Sequence, residues 1–200
     1  MAHLRRQAEA ALDLLMSRGY TDRGTLVTYW CALQASSVQP DQTGPQQHHM
    51  PGVTVRPAQP HEMRQFVAAS IAGFSSNGRS RELLGVLAEI ATRRPDTTLY
   101  VAQVGEEIAR TAAMASMEGA VDEGLGFGVA HLYLDSTVPA HRGKDIQTAL
   151  IRARLAEAQR RGLGLVTSIT RVGDGSARNV ERAGLRPAYT MRILTGSSCL

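Results

Sequence analysis

A chain of 200 residues with 43% hydrophobic and 20% charged residues is long enough to bury a core and too apolar to stay unfolded. Its net charge of +4 is carried almost wholly by arginine, Lys144 being the only lysine, and basic residues alternate with acidic ones along helical stretches, which argues against a nucleic-acid partner. No apolar run reaches membrane-spanning length, the N-terminus lacks the uninterrupted core of a signal peptide, and Cys31 and Cys199 have no metal-like or redox-like neighbours. The expectation is a reduced, cytoplasmic protein with no metal site and no membrane partner.

Leu4, Ala8, Ala11, Leu12 and Leu15 recur at helical spacing, and Gly19 follows as a stop, so residues 2–18 read as a helix. The β-branched and aromatic run TLVTYWCAL, 25–33, reads as a strand. Residues 34–52 are rich in Gln, Ser, Pro and Gly without a period, and are expected to be a linker on which His48 and His49 are solvated. The expected organisation is therefore a helix-strand appendage over 1–33, a linker over 34–52 and one domain over 53–200.

Beyond residue 53 the spacing predicts a strand at VTVRPA, helices at 61–74 and 81–94, and strands at TTLYVAQV, IARTAAMASM and VAHLYLDSTV. A long helix over 145–161 follows, with Ile146, Ala149, Leu150, Ala153 and Ala156 inward. The chain then gives a strand at GLVTSITRV, a short helix closed by Gly184, and a last strand at AYTMRIL. This order describes an α/β fold with helices on both faces of the sheet.

The stretch VPAHRGKDIQTALI, 138–151, ends a strand and opens the long helix through a basic glycine turn. Unpaired amides and the positive end of the helix dipole meet there, and His141, Arg142 and Lys144 add charge, so the turn suits an anion.

With the element order, this frame resembles the GNAT N-acetyltransferase superfamily. Arg142-Gly143-Lys144-Asp145-Ile146-Gln147 occupies the place of the family's Gln/Arg-x-x-Gly-x-Gly/Ala signature. The resemblance covers roughly 53–194 and is most specific over 134–189; residues 1–33 are weakly similar to the last helix and strand of a preceding GNAT-like half. It implies a mixed, mostly antiparallel sheet and an acetyl-CoA or other acyl-CoA cofactor. The pantetheine arm would lie along Ser136, Thr137 and Val138, and the pyrophosphate would face Arg142, Gly143, Lys144, Asp145, Ile146, Gln147 and Thr148, with Asn179 close to the cofactor.

Two departures bear on activity. Asp145 stands where the signature has its first glycine. A carboxylate opening a helix can take the amides two or three residues on, and like charges about 4 Å apart at an effective dielectric near 20 cost roughly 4 kcal/mol. Either Asp145 caps the helix and closes the site, or its carboxylate turns outward and the site works. The second departure is Val180, which aligns with the tyrosine that serves many members as general acid; Tyr189 is the substitute candidate. Candidates for the base are His131, Asp135 and Glu118, and His131 and Asp135, four apart on a strand, are expected to point to one side.

The leading expectation is an acyl-CoA-dependent N-acyltransferase acting on a small-molecule amine. The alternative is a repurposed GNAT-fold enzyme that does not use CoA and performs a cyclisation, decarboxylation or elimination around His131 and Asp135. A third is a ligand-binding or partner-binding module, in which residues 1–33 need a second chain and so imply a homodimer. The acceptor is expected between the helices of 61–92 and the loop 75–80.

Overall fold

The computed structural model describes residues 2–33, 48–50, 52–74, 80–117 and 128–196. In chain order its elements are α1 (Ala2–Ser17), β1 (Thr21–Ala32), β2 (His48–Met50), β3 (Val53–Pro57), α2 (Met63–Phe74), α3 (Arg81–Arg93), β4 (Thr97–Val104), β5 (Glu107–Met117), β6 (Val129–Thr137), α4 (Ile146–Arg160), β7 (Leu165–Arg171), α5 (Gly175–Arg182) and β8 (Arg186–Thr195). The strands form one sheet of order β2-β3-β4-β5-β6-β7-β1-β8. All neighbours are antiparallel except β6 and β7. The expected α/β class, a mostly antiparallel sheet with helices on both faces, is the one observed.

The small side chains of β5 explain how both faces can be covered. Ala109, Ala112 and Met114 are buried on the face of α4, while Ala113 and Thr111 are buried on the face of α2. The α4 side holds the larger core, with Val55, Tyr100, Leu132, Ile146, Leu150, Ile151 and Val166. The α2 side is anchored by Phe66 at 0% exposure, a side chain whose burial contributes on the order of 1.5–3 kcal/mol.

Three expectations change. The strand of the N-terminal segment begins at Thr21 and lies between β7 and β8, pairing with both, so residues 2–33 are part of the sheet and β1 finds its neighbours within the chain. Only α1 stands apart from it: Leu12 and Leu15 are half-buried, and Leu14 and Met16 are exposed. Within the expected linker, His48–Met50 pairs with Val53–Val55 as the short edge strand; residues 34–47 lie outside the described residues. On α4, Ala156 faces solvent, and Arg154 and Glu157 occupy the inward positions.

Candidate functional site

Strands β6 and β7 pair over only four residues each, Val129–Leu132 with Leu165–Ser168, although both run on, to Thr137 and Arg171. They diverge beyond that point. A bulge contributes: Ala113 pairs with Tyr133 and Thr111 with Ser136, so Ala112 faces both Leu134 and Asp135, and Leu134 takes φ 55. An extra residue bends a strand and reverses its alternation. The α2 helix fixes the far end of β6, since a Cβ on Gly73 would lie 2.0 Å from Ser136 Oγ and 2.7 Å from the Thr137 nitrogen. Ser136 Oγ donates to the Ser70 carbonyl at 2.8 Å.

The divergence opens a cleft of about 1340 Å³. Among the described residues, seven arginine and lysine side chains line it against three carboxylates, Asp135, Asp145 and Asp174. At its mouth lies the turn. Gly143 and Asp145 both take left-handed backbone, φ 78 and φ 50. Asp145 makes no side-chain cap. Its side chain is 77% exposed and turned toward Arg182, 4.0 Å away on α5. The Asp145 carbonyl accepts from Thr148 and Ala149, which leaves the amides of Ile146 and Gln147 without intrahelical acceptors at the positive end of α4. The outward carboxylate is thus the arrangement found, and the capped, closed one is not.

Other members of the expected cofactor set divide. Arg142, Gly143, Lys144, Ile146, Gln147, Thr137 and Asn179 line the cleft. Arg142 donates to the Gly73 carbonyl at 3.0 Å, holding the turn to the end of α2. The Gln147 side chain ties α4 to α5, accepting from Asn179 at 2.7 Å and donating to Ser176 at 3.0 Å. Ser136 is buried with its hydroxyl committed to α2, and the Val138 N–H donates to the Ala109 carbonyl, so neither offers a side chain or amide, respectively, to a ligand. Thr148 is half-buried, with its N–H committed to Asp145.

The catalytic set changes more. His131 and Asp135 do not share a face: the bulge turns Asp135 to the α4 side, where Arg154 binds it through a fork at 2.6 and 3.0 Å, and Arg110 lies 3.7 Å away. A carboxylate committed to two buried arginines is a structural counter-ion and does not serve as a base. Tyr189 lies on β8, opposite Thr28 and 57% exposed, with β1 between it and the β6/β7 cleft, which removes it as acid for that cleft. Glu118 lies outside the described residues.

His131 remains in the cleft. Its Nδ1 is 3.0 Å from Thr167 Oγ1, whose own proton points to the Ala130 carbonyl at 3.4 Å. That leaves Nδ1 to donate and Nε2 free to accept a proton. Burial, reinforced by the charge of Arg154, pushes the imidazole below the ordinary histidine range, so it is neutral at pH 7. The ring stacks on Tyr133 with centroids 6.0 Å apart.

The residues that sequence reasoning missed are the arginines: Arg110 and Arg154 inside, Arg171, Arg178 and Arg182 around the mouth. Arg110 is pushed down to about 10, chiefly by burial and against the opposing pull of Asp135. Arg110 left a signal, as a single charge among the small apolar residues of β5, whereas on α4 Arg154 shares the inward face with Gln147 and Glu157. Among the described residues no group of His, Cys, Asp and Glu could hold a metal ion, and no helix is long and apolar enough to cross a membrane.

The architecture is that of the GCN5-related N-acetyltransferases. The structure of such an enzyme from Sphaerobacter thermophilus superposes with a TM-score of 0.61 at 20% identity, covering 93% of this chain and 55% of that one. One from Kribbella flavida gives 0.59 at 17% identity, covering 94% and 64%. A GNAT family acetyltransferase from Brucella melitensis in complex with acetyl-CoA gives 0.53 at 22% identity, covering 76% and 93%. This chain therefore has the GNAT fold, and it spans about half the length of the Sphaerobacter structure. No family model and no curated protein matches the sequence.

Proposed function

We propose that this chain is an acyl-CoA-dependent N-acyltransferase acting on a small-molecule amine. One observation carries the reading: the splayed β6/β7 cleft ends on an open basic turn, with the first amides of α4 free and Asp145 turned away. These residues fit an acyl-CoA. The amides of Ile146 and Gln147, with Lys144 beside them, suit a pyrophosphate, and Arg178 and Arg182 on α5 add charge for further phosphate.

When bound, acyl-CoA supplies an acyl group activated as a thioester. The chain's part is positioning and proton movement. His131 Nε2 accepts a proton from the incoming ammonium or amine, and Thr167 keeps the ring in the tautomer that leaves Nε2 free. The walls of the cleft hold the amine close, which alone supplies much of the rate. Val180, at the position of the family's tyrosine, is 3% exposed and carries no proton to give.

The CoA-independent alternative draws on Asp145 and on the missing tyrosine, with His131 and Asp135 as its acid/base pair; Val180 still holds the tyrosine's place, but the Asp145 carboxylate is turned outward and Asp135 is engaged by Arg154, which favours acyl transfer. Incubation with acetyl-, propionyl- and succinyl-CoA and a panel of amines, with products read by mass spectrometry, tests the proposal. N-acylated product is expected from at least one pair. Absence of product across the panel, from protein that is folded and binds acetyl-CoA, would overturn it.

A further inference from the structure

The face of β7, β1 and β8 on the side of α2 and α3 has no helix over it among the described elements, and its register defines an ordered surface. Pairing places His131, Thr167 and Trp30 in one row across the sheet, and Ile169, Thr28 and Tyr189 in the next. Trp30 is 39% exposed, Ile169 42% and Tyr189 57%. Thr28, at the floor between Ile169 and Tyr189, is 7% exposed, and its hydroxyl has no hydrogen-bond partner among the described residues. The surface is continuous with the cleft, because Ile169 and His131 line both.

Its charge is equally informative. The ionisable side chains that the pairing puts on this face beside the apolar ones are Arg171, opposite Leu26, and Arg186, opposite Trp30. No carboxylate stands among these rows to attract a second ammonium group.

We infer that this face is the floor of the acceptor site, and that the acceptor is a monoamine with an aromatic or aliphatic body, not a polyamine. The inference rests on the acyl-transfer reading and names its substrate class. With the amine at His131, strands about 4.8 Å apart and a rise of about 3.4 Å per residue put Trp30 roughly 10 Å away and Tyr189, one row on, roughly 16 Å away; a phenylalkyl or medium alkyl chain therefore runs from His131 over Thr167 and Ile169 toward Trp30. The N-terminal strand β1 is thus a specificity element; of the expected acceptor pocket over 61–92, residues 75–79 lie outside the described residues.

Trp30 is the only tryptophan, so its emission reports on this face without any turnover. Phenethylamine, hexylamine and putrescine are titrated into the full chain, excited at a wavelength that selects tryptophan, for the wild type and Ile169→Ser. Saturable change with phenethylamine and hexylamine, at least tenfold weaker response to putrescine, and several-fold weaker phenethylamine binding by Ile169→Ser are expected. No saturable change with the two apolar amines, or equal affinity for putrescine, would overturn the inference. A parallel calorimetric titration of acetyl-CoA separates the two claims. If acetyl-CoA binds and the apolar amines leave Trp30 unchanged, the floor assignment fails alone; if the amines bind and acetyl-CoA does not, the acyl-transfer reading fails and the apolar-amine site stands.

Discussion

Asp135 and Arg154 hold each other through two parallel hydrogen bonds, 2.6 and 3.0 Å long, with Arg154 at 0% exposure inside the core. Arg154 also donates to the carbonyls of Leu150 and Ala113, so every arm of its guanidinium is used. Asp135→Asn would leave Arg154 and Arg110 buried without their counter-charge. Breaking such a pair costs about 3–5 kcal/mol. Urea unfolding of the variant should show a loss of that size, and wild-type stability with abolished turnover would instead return Asp135 to the catalytic machinery.

The contact between Gly73 and β6 sets the cleft's shape. A methyl group there meets backbone at 2.7 Å as well as the Ser136 hydroxyl, and backbone cannot swing aside. Gly73→Ala is expected to destabilise by about 1–3 kcal/mol and to weaken acetyl-CoA binding, because α2 and the end of β6 must separate. Ser70→Ala, one turn earlier, removes a hydroxyl bond to Thr111 without adding volume. Comparing the two by thermal unfolding and acetyl-CoA affinity distinguishes a steric cause from a lost hydrogen bond.

Much of this fold was legible because its helices and strands differ in period and are punctuated by glycine and proline. The basic turn was legible from residue type and from its place between a strand and a helix. What spacing could not show was the bulge at Leu134. Period-two alternation put His131 and Asp135 on one side, and one extra residue sent Asp135 to the opposite face. Nor could it show where β1 would pair, since strand order across a sheet depends on contacts far apart in sequence. The inward-facing Arg154 was hidden for a related reason: a helix face read for apolar residues passes over a charge that is buried because it is paired.

His131 should govern the pH dependence. Its folded-state pKa is lowered, so the neutral imidazole persists below the ordinary histidine value of about 6.5. The acid limb of kcat/KM is expected below that value, with activity lost as pH falls through the folded pKa. His131→Gln should lower kcat/KM by roughly 10²–10⁴ and abolish that limb. The same sign holds for stability: this group's contribution is present above the unfolded pKa and lost as pH falls below it. Because an alkylamine acceptor itself titrates at about 10, as a lysine does, the His131 limb is the one that His131→Gln removes; removal of a limb above pH 7 would contradict the burial of a neutral imidazole.

Asp145 carries a backbone conformation that suits glycine. For residues with a Cβ, φ 50 costs about 1–2 kcal/mol, less for aspartate. Asp145→Gly relieves that strain but adds unfolded-chain entropy worth about 0.4–1 kcal/mol, so the two nearly cancel and a Tm close to that of the wild type is expected. A lower Tm would mean that the carboxylate's approach to Arg182 contributes more than the relief of strain.

The central claim is that the turn from Arg142 to Gln147 is an open phosphate site. Calorimetric titration of acetyl-CoA into the wild type and Asp145→Gly, at two salt concentrations, tests it most directly. Micromolar or tighter binding by the wild type is expected, weakened by salt, with only a few-fold tightening in the glycine variant, because the carboxylate already points outward. Binding by the glycine variant alone would contradict it, and would mean that Asp145 closes the site on its own helix.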